Sequence, residues 1–578
     1  MRIISIRASA SFGIAIAMLW WAASIGAAGD ARSSALSAIT TDNAAQLKLI
    51  FSFQLPANGG YAAIPQIVSD TLFVLTPFPH TLYALEAYGA AAGSVKWRYS
   101  PDANPAAAAL RSAGPRAFGP ALSGDAVYFN TLDGRTVALE AATGRVKWDQ
   151  QLANFGAGET LGSAPLVVGK TVVIGNAGDD FGARGWIKAL DRDTGQELWR
   201  KYSTGSDADV GVGPSFRPFY RSDNAADLGM ASWPPDAWQH GGGTVSGLLS
   251  YDPGLGQILH GTGYPAPGNP EQRPGDNRWT SGLFARDSAT GSARWFTPLN
   301  PHDLYGLGAT NANVLVDRDW QGTKRPLLIH ANGNGFLYVL DRRTGEILSA
   351  EPFAPGNMLA EIDIGTAAPR RNDAKSVRGD KPVRDVCPAA PGAAVGAPAY
   401  SERLGLLFIP TSFLCMDVRA LPVGYIPGTP YSGVTRRLKP MPESPRGAQI
   451  AWDVENAKPA WSIRETFPVE GGALATAGDL VFYGTLDGWL RAADSRNGHI
   501  LWEYKTKTQI AGQPITYSGP DNRQYVAVVA GLSSGGGAVG EEDIDTRDLT
   551  AANGFANALP DLPRPAEASG RLYVFGLP

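Results

Sequence analysis

The sequence is poor in cysteine and histidine, and its charges nearly cancel. Among 578 residues, 54 are acidic and 50 are basic, so the formal net charge is only −4. Nucleic-acid-binding surfaces need clustered lysine and arginine, and no such run occurs in this chain. The six histidines form no H-E-x-x-H or similar motif. These absences argue against a nucleic-acid-binding protein and against a histidine-based metal centre.

The chain has only two cysteines, Cys387 and Cys415. They form no C-x-x-C motif and have no histidine pair nearby, so a redox-active or metal-binding role is not favoured. In an exported protein such a pair predicts one disulfide. On the chain-entropy model, closing a loop of this length stabilises the fold by about 3–4 kcal/mol.

Long apolar runs are absent beyond the N-terminus. The first residues supply Arg2 and Arg7, then an apolar core around 12–21, then small residues near Ala27 and Ala28. This order predicts a cleavable secretory signal over residues 1–28. A transmembrane anchor is the alternative, but the apolar core is shorter than the ~20 residues that span a bilayer. We expect residues 29–578 to form a single domain.

A repeat that contains glycine and tryptophan is the most prominent feature that is present. Each copy has a small residue, an acidic residue two positions later, then a glycine and, after three more residues, a tryptophan. The clear copies are ALEAATGRVKW at 138–148, ALDRDTGQELW at 189–199, ARDSATGSARW at 285–295 and AADSRNGHILW at 492–502, and weaker copies begin at Ala84, Val339 and Ala451.

Each copy predicts two strands joined by a tight turn. The acid and the Thr-Gly or Asn-Gly pair favour a turn with positive φ, and the tryptophan packs between neighbouring units. Seven copies, with an eighth unit closed by LKLIFSF and the C-terminal RLYVFGL, predict an all-β, eight-bladed β-propeller. Tandem β-sandwiches are the alternative, which a tryptophan at one fixed place in each unit does not favour.

Longer blocks of the sequence resemble a known family. GETLGSAPLVVG, GARGWIKALDRDTGQELWRKYSTG, SWPPDAWQHGGGTV and GGALATAGDLVFYGTLDG are similar to segments of the quinoprotein methanol and alcohol dehydrogenases, most of all to their lanthanide-using branch. The resemblance covers essentially the whole mature chain. It implies a periplasmic eight-bladed propeller that binds pyrroloquinoline quinone (PQQ) beside calcium or a lanthanide, oxidises an alcohol and passes electrons to a c-type cytochrome.

Several positions match residues that the family places around the quinone and the metal. Arg116, Thr160 and Thr244 match quinone contacts. Gly178 lies in the turn whose backbone lines the quinone. Asp180 stands at the place of a metal-ligating glutamate and is one methylene shorter. The resemblance therefore implies a remnant of the quinone pocket and one metal ligand.

Other positions depart from the family pattern. Gly306, in PHDLYGLG, stands where the family has its catalytic aspartate, and Gly308 stands where it has the aspartate linked to lanthanide use. Tyr264 replaces a metal-ligating asparagine, and Ser246 replaces the tryptophan under the quinone. Further replacements fall at Ala62, Leu110, Arg111, Asn332, Gly333, Ser412 and Glu470.

These replacements lead to two hypotheses. The first is a non-catalytic or strongly divergent paralogue that binds a small molecule or a protein partner, such as a redox partner or a true dehydrogenase. The second is an active PQQ-dependent alcohol or aldehyde dehydrogenase with an altered site. A general base contributes about 10²–10⁴-fold to a rate, and position 306 offers none.

The nearby charged residues do not restore the missing groups. A hard dication takes about six or more oxygen ligands, which Asp180 alone cannot supply. We expect Asp179 to point to the opposite face of a strand from Asp180, so the pair need not chelate. We expect His302 and Asp303 to fix a turn rather than to act as a base.

Overall fold

The computed structural model describes residues 32–58, 60–110, 119–161, 163–218, 226–520, 522–533, 558–565 and 569–578. The predicted signal, 1–28, lies outside these residues, as do Arg111 and Arg116. In this part of the chain, no helix has the length and apolar character needed to cross a membrane.

Eight antiparallel sheets of four strands, which we call blades 1 to 8, follow one another along the described chain. Blades 1 to 4 comprise Gln66–Val68, Thr71–Leu75, Leu82–Glu86 and Val95–Tyr99; Ala121–Ser123, Ala126–Asn130, Arg135–Glu140 and Val146–Gln151; Leu166–Val168, Thr171–Ala177, Trp186–Asp191 and Glu197–Tyr202; and Ser250–Asp252, Gln257–Gly261, Gly282–Asp287 and Ala293–Pro298. Blades 5 to 8 comprise Asn313–Trp320, Thr323–Ala331, Phe336–Asp341 and Ile347–Pro352; Ala399–Ser401, Leu406–Ser412, Gly447–Asp453 and Lys458–Glu465; Leu474–Thr476, Leu480–Gly484, Trp489–Asp494 and Ile500–Lys505; and Ile515–Ser518, Gln524–Ala530, Ser569–Gly576 and Lys48–Asn58.

Shorter elements connect and extend the blades. Three short strands extend a blade: Thr160–Leu161 in blade 3, Arg217–Pro218 in blade 4 and Ser33–Ser34 in blade 7. Two small sheets are formed by Leu359–Asp363 with Ala368–Arg371, and by Val383–Val386, Leu414–Ala420 and Val434–Pro440. The helices are Asp207–Val210 and Leu228–Ala231, with 3₁₀ turns at Ala44–Gln46, Pro105–Leu110, Phe155–Ala157, Asp179–Phe181, Ala237–His240, Pro270–Gln272 and Asp373–Lys375.

Each pair of neighbouring blades shares an apolar core. Phe73 and Phe129 belong to the core between blades 1 and 2, and Leu72 and Val529 belong to the core between blades 1 and 8. Eight such cores join every blade to the next and the last to the first. The sheets therefore form a closed ring, which confirms the predicted β-propeller. The N-terminal strand Lys48–Asn58 pairs with the C-terminal strand Ser569–Gly576, so both ends of the chain build blade 8.

The repeated tryptophan of one blade contacts the repeated glycine of the next. Trp295 in blade 4 pairs across its hairpin with Ala285 and donates its indole N–H to the Arg342 carbonyl at 2.9 Å. A methyl group at Gly345, in the turn of blade 5, would lie 2.6 Å from the Trp295 ring. The same glycine–ring contact joins Gly144 to Trp97, Gly195 to Trp148, Gly291 to Trp199 and Gly498 to Trp461. The repeat therefore needs glycine for the turn and also for the space that the ring occupies.

The two cysteines form the predicted disulfide. Cys387 and Cys415 are bonded, with their Cα atoms 4.4 Å apart. The bond ties the segment after Val383–Val386 to the strand Leu414–Ala420. It therefore fixes the three-stranded sheet whose last strand, Val434–Pro440, borders the candidate site.

Candidate functional site

The turn PHDLYGLG is organised by the carboxylate of Asp303. Oδ1 accepts hydrogen bonds from the backbone N–H groups of Tyr305 and Gly306 at 2.9 and 3.0 Å. Oδ2 accepts from the N–H groups of Leu307 and Gly308 at 2.9 and 2.8 Å. Because both oxygens are fully engaged and the side chain is only 2% exposed, Asp303 serves as the framework of the turn, as expected from the sequence.

His302 adds to the same framework. Its Nδ1 lies 3.3 Å from Oδ1 of Asn277, and its φ of 47° marks the tight turn. Burial lowers the pKa of His302, and the Arg273 guanidinium lowers it further. The imidazole is therefore held in the neutral form within the turn.

Two asparagines hold the far end of the turn. The side-chain amides of Asn300 and Asn332 donate to the Gly308 carbonyl at 2.8 and 3.4 Å. Asn332 also lies 3.2 Å from Nε2 of the buried His330. Asn332, which stands at a replaced family position, is therefore part of a buried structural network.

The place of the missing carboxylate is next to an arginine from another part of the chain. Gly306 has a φ of 78°, and a methyl group there would lie 2.6 Å from Nη2 of Arg436 and 3.9 Å from Cδ2 of Tyr264. Arg436 belongs to the strand Val434–Pro440. A guanidinium therefore lies where a side chain at position 306 would begin.

Arg436 is buried on the inner face of its strand. Val434, Arg436 and Leu438 alternate as buried residues, with exposures of 4%, 5% and 3%, whereas Arg437 is exposed. Val434 and Leu438 join an apolar core with Leu304 and Leu307 of the turn. Within the described residues, the Arg436 guanidinium has no ion pair, and its buried Nε has no hydrogen-bond partner. Among the described residues it is therefore a buried cation without a protein counter-ion.

Asp179 is engaged by Thr244 on the neighbouring blade. Its Oδ1 accepts from the backbone N–H of Thr244 at 2.9 Å, and its Oδ2 accepts from the Thr244 hydroxyl at 2.7 Å. Burial raises the pKa of Asp179 to about 7, against the lowering effect of these hydrogen bonds. A methyl group at Gly263 would lie 2.3 Å from Oδ2, so the backbone encloses this carboxylate. The Thr244 hydroxyl thus donates its proton to Asp179 and keeps only its acceptor capacity.

Asp180 and Tyr264 form the other side of the site. Burial, the charges of Asp180 and Asp179, and a hydrogen bond to Asp180 raise the pKa of Tyr264 well above its ordinary value, and only the Arg436 charge opposes this. The Oδ1 atom of Asp180 is buried without a hydrogen-bond partner. Asp179 and Asp180 lie in the 3₁₀ turn Asp179–Phe181, so the expectation of a strand with opposed side chains was wrong, because Gly178 ends the extended segment.

These residues do not fit a hard di- or trivalent cation. Such an ion takes about six or more oxygen ligands, mostly carboxylates and carbonyls. One carboxylate is bound by Thr244, the neighbouring phenol is held neutral, and a guanidinium faces the same space. Across the described ranges, no three His, Cys, Asp or Glu residues are grouped so that they could hold a metal.

The remaining predicted quinone contacts have mixed surroundings. Thr160 pairs with Ala177, next to Gly178, and its buried hydroxyl has no hydrogen-bond partner in the described chain. Gly178 has a φ of 122°, and a methyl group on it would lie 2.3 Å from the Gly158 carbonyl. Thr160, Gly178, Asp180 and Thr244 are thus brought to one place, whereas Arg116 lies outside the described residues.

The other replaced positions are mostly part of the packed interior. Ala62, Leu110 and Ser412 are each at most 5% exposed. Glu470 is buried and accepts a hydrogen bond from the Ser533 hydroxyl at 2.7 Å. Ser246 is half-buried. These side chains offer no second base beside Gly306.

Arg436 is the site residue that the sequence did not reveal. The segment VTRRLKP contains two adjacent arginines, and alternation along a strand places only one of them on the inner face. Val434, Arg436 and Leu438 occupy alternate positions of the strand, so Arg436 shares its face with two apolar residues. This spacing is the signal that would have identified Arg436. It lay outside every copy of the repeat and outside the blocks that carry the family resemblance.

Comparison with known proteins identifies the family of this chain. The family profile described as "PQQ: Glucose/ethanol/alcohol dehydrogenase, beta-propeller domain" matches residues 21–351 and 443–526. The lanthanide-dependent methanol dehydrogenase of Methylacidiphilum fumariolicum (strain SolV) is 36% identical over 94% of this chain and 90% of the relative. Subunit 1 of the methanol dehydrogenase [cytochrome c] of Paracoccus denitrificans is 34% identical over 94% of this chain and 88% of the relative.

A solved structure shares the same fold over nearly its full length. The europium-containing methanol dehydrogenase superposes with a TM-score of 0.90 at 35% identity, over 96% of this chain and 98% of that one. With the closed propeller and the sequence matches, this similarity leads to one conclusion. The chain belongs to the PQQ-dependent methanol/alcohol dehydrogenase family.

Proposed function

We propose that this chain is a non-catalytic, strongly divergent member of its family whose central site binds a small molecule instead of oxidising an alcohol. The observation that carries the proposal is the contact between Gly306 and Arg436. Removing the hydroxyl proton of an alcohol needs a group that accepts a proton, and a guanidinium stays protonated throughout the range in which proteins work. The local charge is therefore opposite to that of a carboxylate base.

The surrounding groups support the same proposal. Asp179 is held by Thr244, and the Tyr264 phenol replaces an amide oxygen with a poor ligand for a hard cation. A positive guanidinium beside the same residues repels a di- or trivalent cation. Each of these features opposes metal-assisted hydride transfer to a quinone.

An active PQQ-dependent alcohol or aldehyde dehydrogenase is the second candidate. It is favoured by the matches to dehydrogenases over more than nine-tenths of the chain and by the unpartnered Thr160 hydroxyl. In that case a c-type cytochrome would accept the electrons, by analogy with the relative named methanol dehydrogenase [cytochrome c] subunit 1. The N-terminal pattern of residues 1–28 supports export to the periplasm for either candidate.

The test is to add PQQ with Ca²⁺ or La³⁺ to the purified protein and to record the quinone absorbance and the reduction of an artificial dye by methanol or ethanol. We expect neither a stoichiometric quinone spectrum nor dye reduction. Turnover with a bound quinone would establish the second candidate instead.

A variant that restores the family residues serves as the matched control. It carries Tyr264→Asn, Ser246→Trp, Gly306→Asp and Gly308→Asp, together with Arg436→Leu to remove the guanidinium from position 306. We expect this variant to bind La³⁺ and PQQ more tightly than the natural chain. No gain in either would show that these positions were mapped wrongly.

A further inference from the structure

We propose that the region beside Gly306 is a binding site for a small monocarboxylate that also carries a hydroxyl or ammonium group, with Arg436 as its anchor. This inference deepens the proposed function and rests on it, because it assigns the same region to a ligand other than a metal and a quinone. The site has three parts: the buried guanidinium of Arg436, the unpartnered Oδ1 atom of Asp180 and the partly exposed side chain of Tyr264.

The buried cation needs an anion. An unpaired charge inside a protein costs several kcal/mol relative to water, even after relaxation. Arg436 is 5% exposed and has no ion pair among the described residues, and its Nε is buried without a partner. A guanidinium binds carboxylate and phosphate groups through two parallel hydrogen bonds. An anion from solution would therefore supply the partner that the described residues do not.

The neighbouring charges select a single negative charge. The charges of Asp180 and Asp179 raise the pKa of the Tyr264 phenol, and the charge of the Arg436 guanidinium lowers it. A dianion such as phosphate would be repelled by these carboxylates more strongly than a carboxylate would. A monocarboxylate balances Arg436 without adding a second charge.

The second end of the ligand is set by Asp180. Its buried Oδ1 has no hydrogen-bond partner, and an unsatisfied buried acceptor costs about 1–3 kcal/mol. A hydroxyl or ammonium group on the ligand would donate to this atom. Tyr264 lies between the two ends, since its ring is beside Gly306 and the Asp180 carboxylate acts on its phenol.

The site is only partly shielded from solvent. Gly306, Tyr264, Asp180 and Ser246 are each partly exposed although they lie among buried neighbours. The ligand would therefore contact the Tyr264 ring and the turn, with its carboxylate directed at the more deeply buried Arg436. A small 2-hydroxy acid or amino acid has this arrangement of groups.

In the test, glycolate is added to the full purified chain without PQQ or metal. Calorimetry and thermal unfolding measure its binding. We expect saturable binding of glycolate, no binding of the uncharged ethane-1,2-diol, and weaker binding of inorganic phosphate. Glycine in place of glycolate distinguishes an ammonium donor from a hydroxyl donor, and either result supports the site. Absence of saturable binding for both, or phosphate binding as tightly as both, would overturn the assignment.

Arg436→Leu separates a binding role from a structural one. We expect it to weaken glycolate binding at least tenfold and to leave the ligand-free protein as stable as the natural chain or more stable, because Leu completes the apolar face of Val434 and Leu438. Arg437→Leu, at the exposed neighbouring position, is the matched control and should bind normally. Glycolate affinity unchanged in Arg436→Leu would overturn the role of Arg436.

A second variant covers the case in which Arg436→Leu does not fold. Gly306→Asp places a carboxylate of the chain itself beside Nη2 of Arg436. This variant should weaken glycolate binding at least tenfold although Arg436 is retained. Undiminished binding in that variant would contradict the site. Dye reduction with PQQ would refute the proposed function, whereas these glycolate measurements refute only the carboxylate site, so the two failures can be told apart.

Discussion

The Arg436 guanidinium lies 2.6 Å from the point where a side chain on Gly306 would begin. The two residues are 130 positions apart in the sequence (436 − 306) and come from a turn and from a strand of the small three-stranded sheet. The contact links the loss of a carboxylate at one position to the presence of a cation at the other. It also makes position 306 a direct probe of that cation.

Gly306→Asp should be more stable than Gly306→Asn, although the two side chains have the same shape. Both must adopt the positive φ of 78°, which Asn tolerates at least as well as Asp. Only Asp pairs with Arg436, and satisfying a buried charge contributes about 1–3 kcal/mol. Urea unfolding of the two variants measures the difference. Equal stabilities, or a more stable Asn variant, would show that Arg436 is already neutralised.

Asp303→Ala should destabilise the protein by about 3 kcal/mol or more, because it leaves four backbone N–H groups, three of them in buried residues, without their acceptor. Those groups belong to residues 305–308 and are bonded at 2.8–3.0 Å. Asp373→Ala is the control, since that carboxylate is 85% exposed and pairs with Arg378, which is 71% exposed, and a surface ion pair is worth about 1 kcal/mol or less. Similar losses in the two variants would mean that Asp303 does not hold the turn.

Gly345→Ala should cost more stability than Gly124→Ala. Both glycines have positive φ, 75° and 59°, so both substitutions carry the backbone cost of about 1 kcal/mol. The methyl group at 345 would also meet the Trp295 ring at 2.6 Å, whereas at 124 nothing lies within 4 Å. We expect an extra loss of about 1–3 kcal/mol from this overpacking. Thermal and urea unfolding measure it, and equal losses would refute the tryptophan contact.

Acid should destabilise the fold through His330. Burial lowers its pKa to about 3, whereas an unfolded histidine titrates near pH 6.5. Between pH 6.5 and pH 3 the unfolded chain binds a proton at His330 that the folded chain does not bind. The free energy of unfolding therefore has its full value, as far as His330 is concerned, above pH 6.5 and falls as pH drops toward 3. The loss is about 1.4 kcal/mol per pH unit.

His330→Asn should therefore show a shallower decline of unfolding free energy between pH 6 and pH 4 than the natural chain. His499→Gln, at an exposed position, should keep the natural slope. His260, buried and with its pKa also lowered to about 3, accounts for a further part of the decline. A slope unchanged in His330→Asn would show that the imidazole is protonated in the folded state.

The repeat determined how much of the fold could be predicted. Its glycine and tryptophan occupy fixed places because a ring of one blade packs on a turn of the next, as Trp461 does on Gly498. The local repeat therefore predicted a contact between residues that are far apart in the sequence. The disulfide could be predicted because the chain has only two cysteines. The extended segment was expected to include Asp179 and Asp180, because nothing in GNAGDDFG marks the 3₁₀ turn that follows Gly178.

The site could be predicted only where a residue acts through its immediate neighbours. Asp303 bonds backbone groups two to five residues away, and this turn was foreseen. The bond from Thr244 to Asp179, 65 residues earlier, was not foreseen, and the quinone contact expected of Thr244 stays a prediction. Arg436 reaches Gly306 only through the pairing of its strand with Leu414–Ala420. Contacts of this kind depend on how blades and loops assemble, which residue type and spacing do not specify.

The measurement that tests the central claim most directly is the rate of dye reduction by methanol after the full-length protein has been loaded with PQQ and La³⁺. If Arg436 stands where a proton acceptor is needed, the protein should show no turnover above a sample without methanol, and no stoichiometric quinone absorbance. A bound quinone with methanol-dependent turnover would contradict the account and show that this chain is a working dehydrogenase.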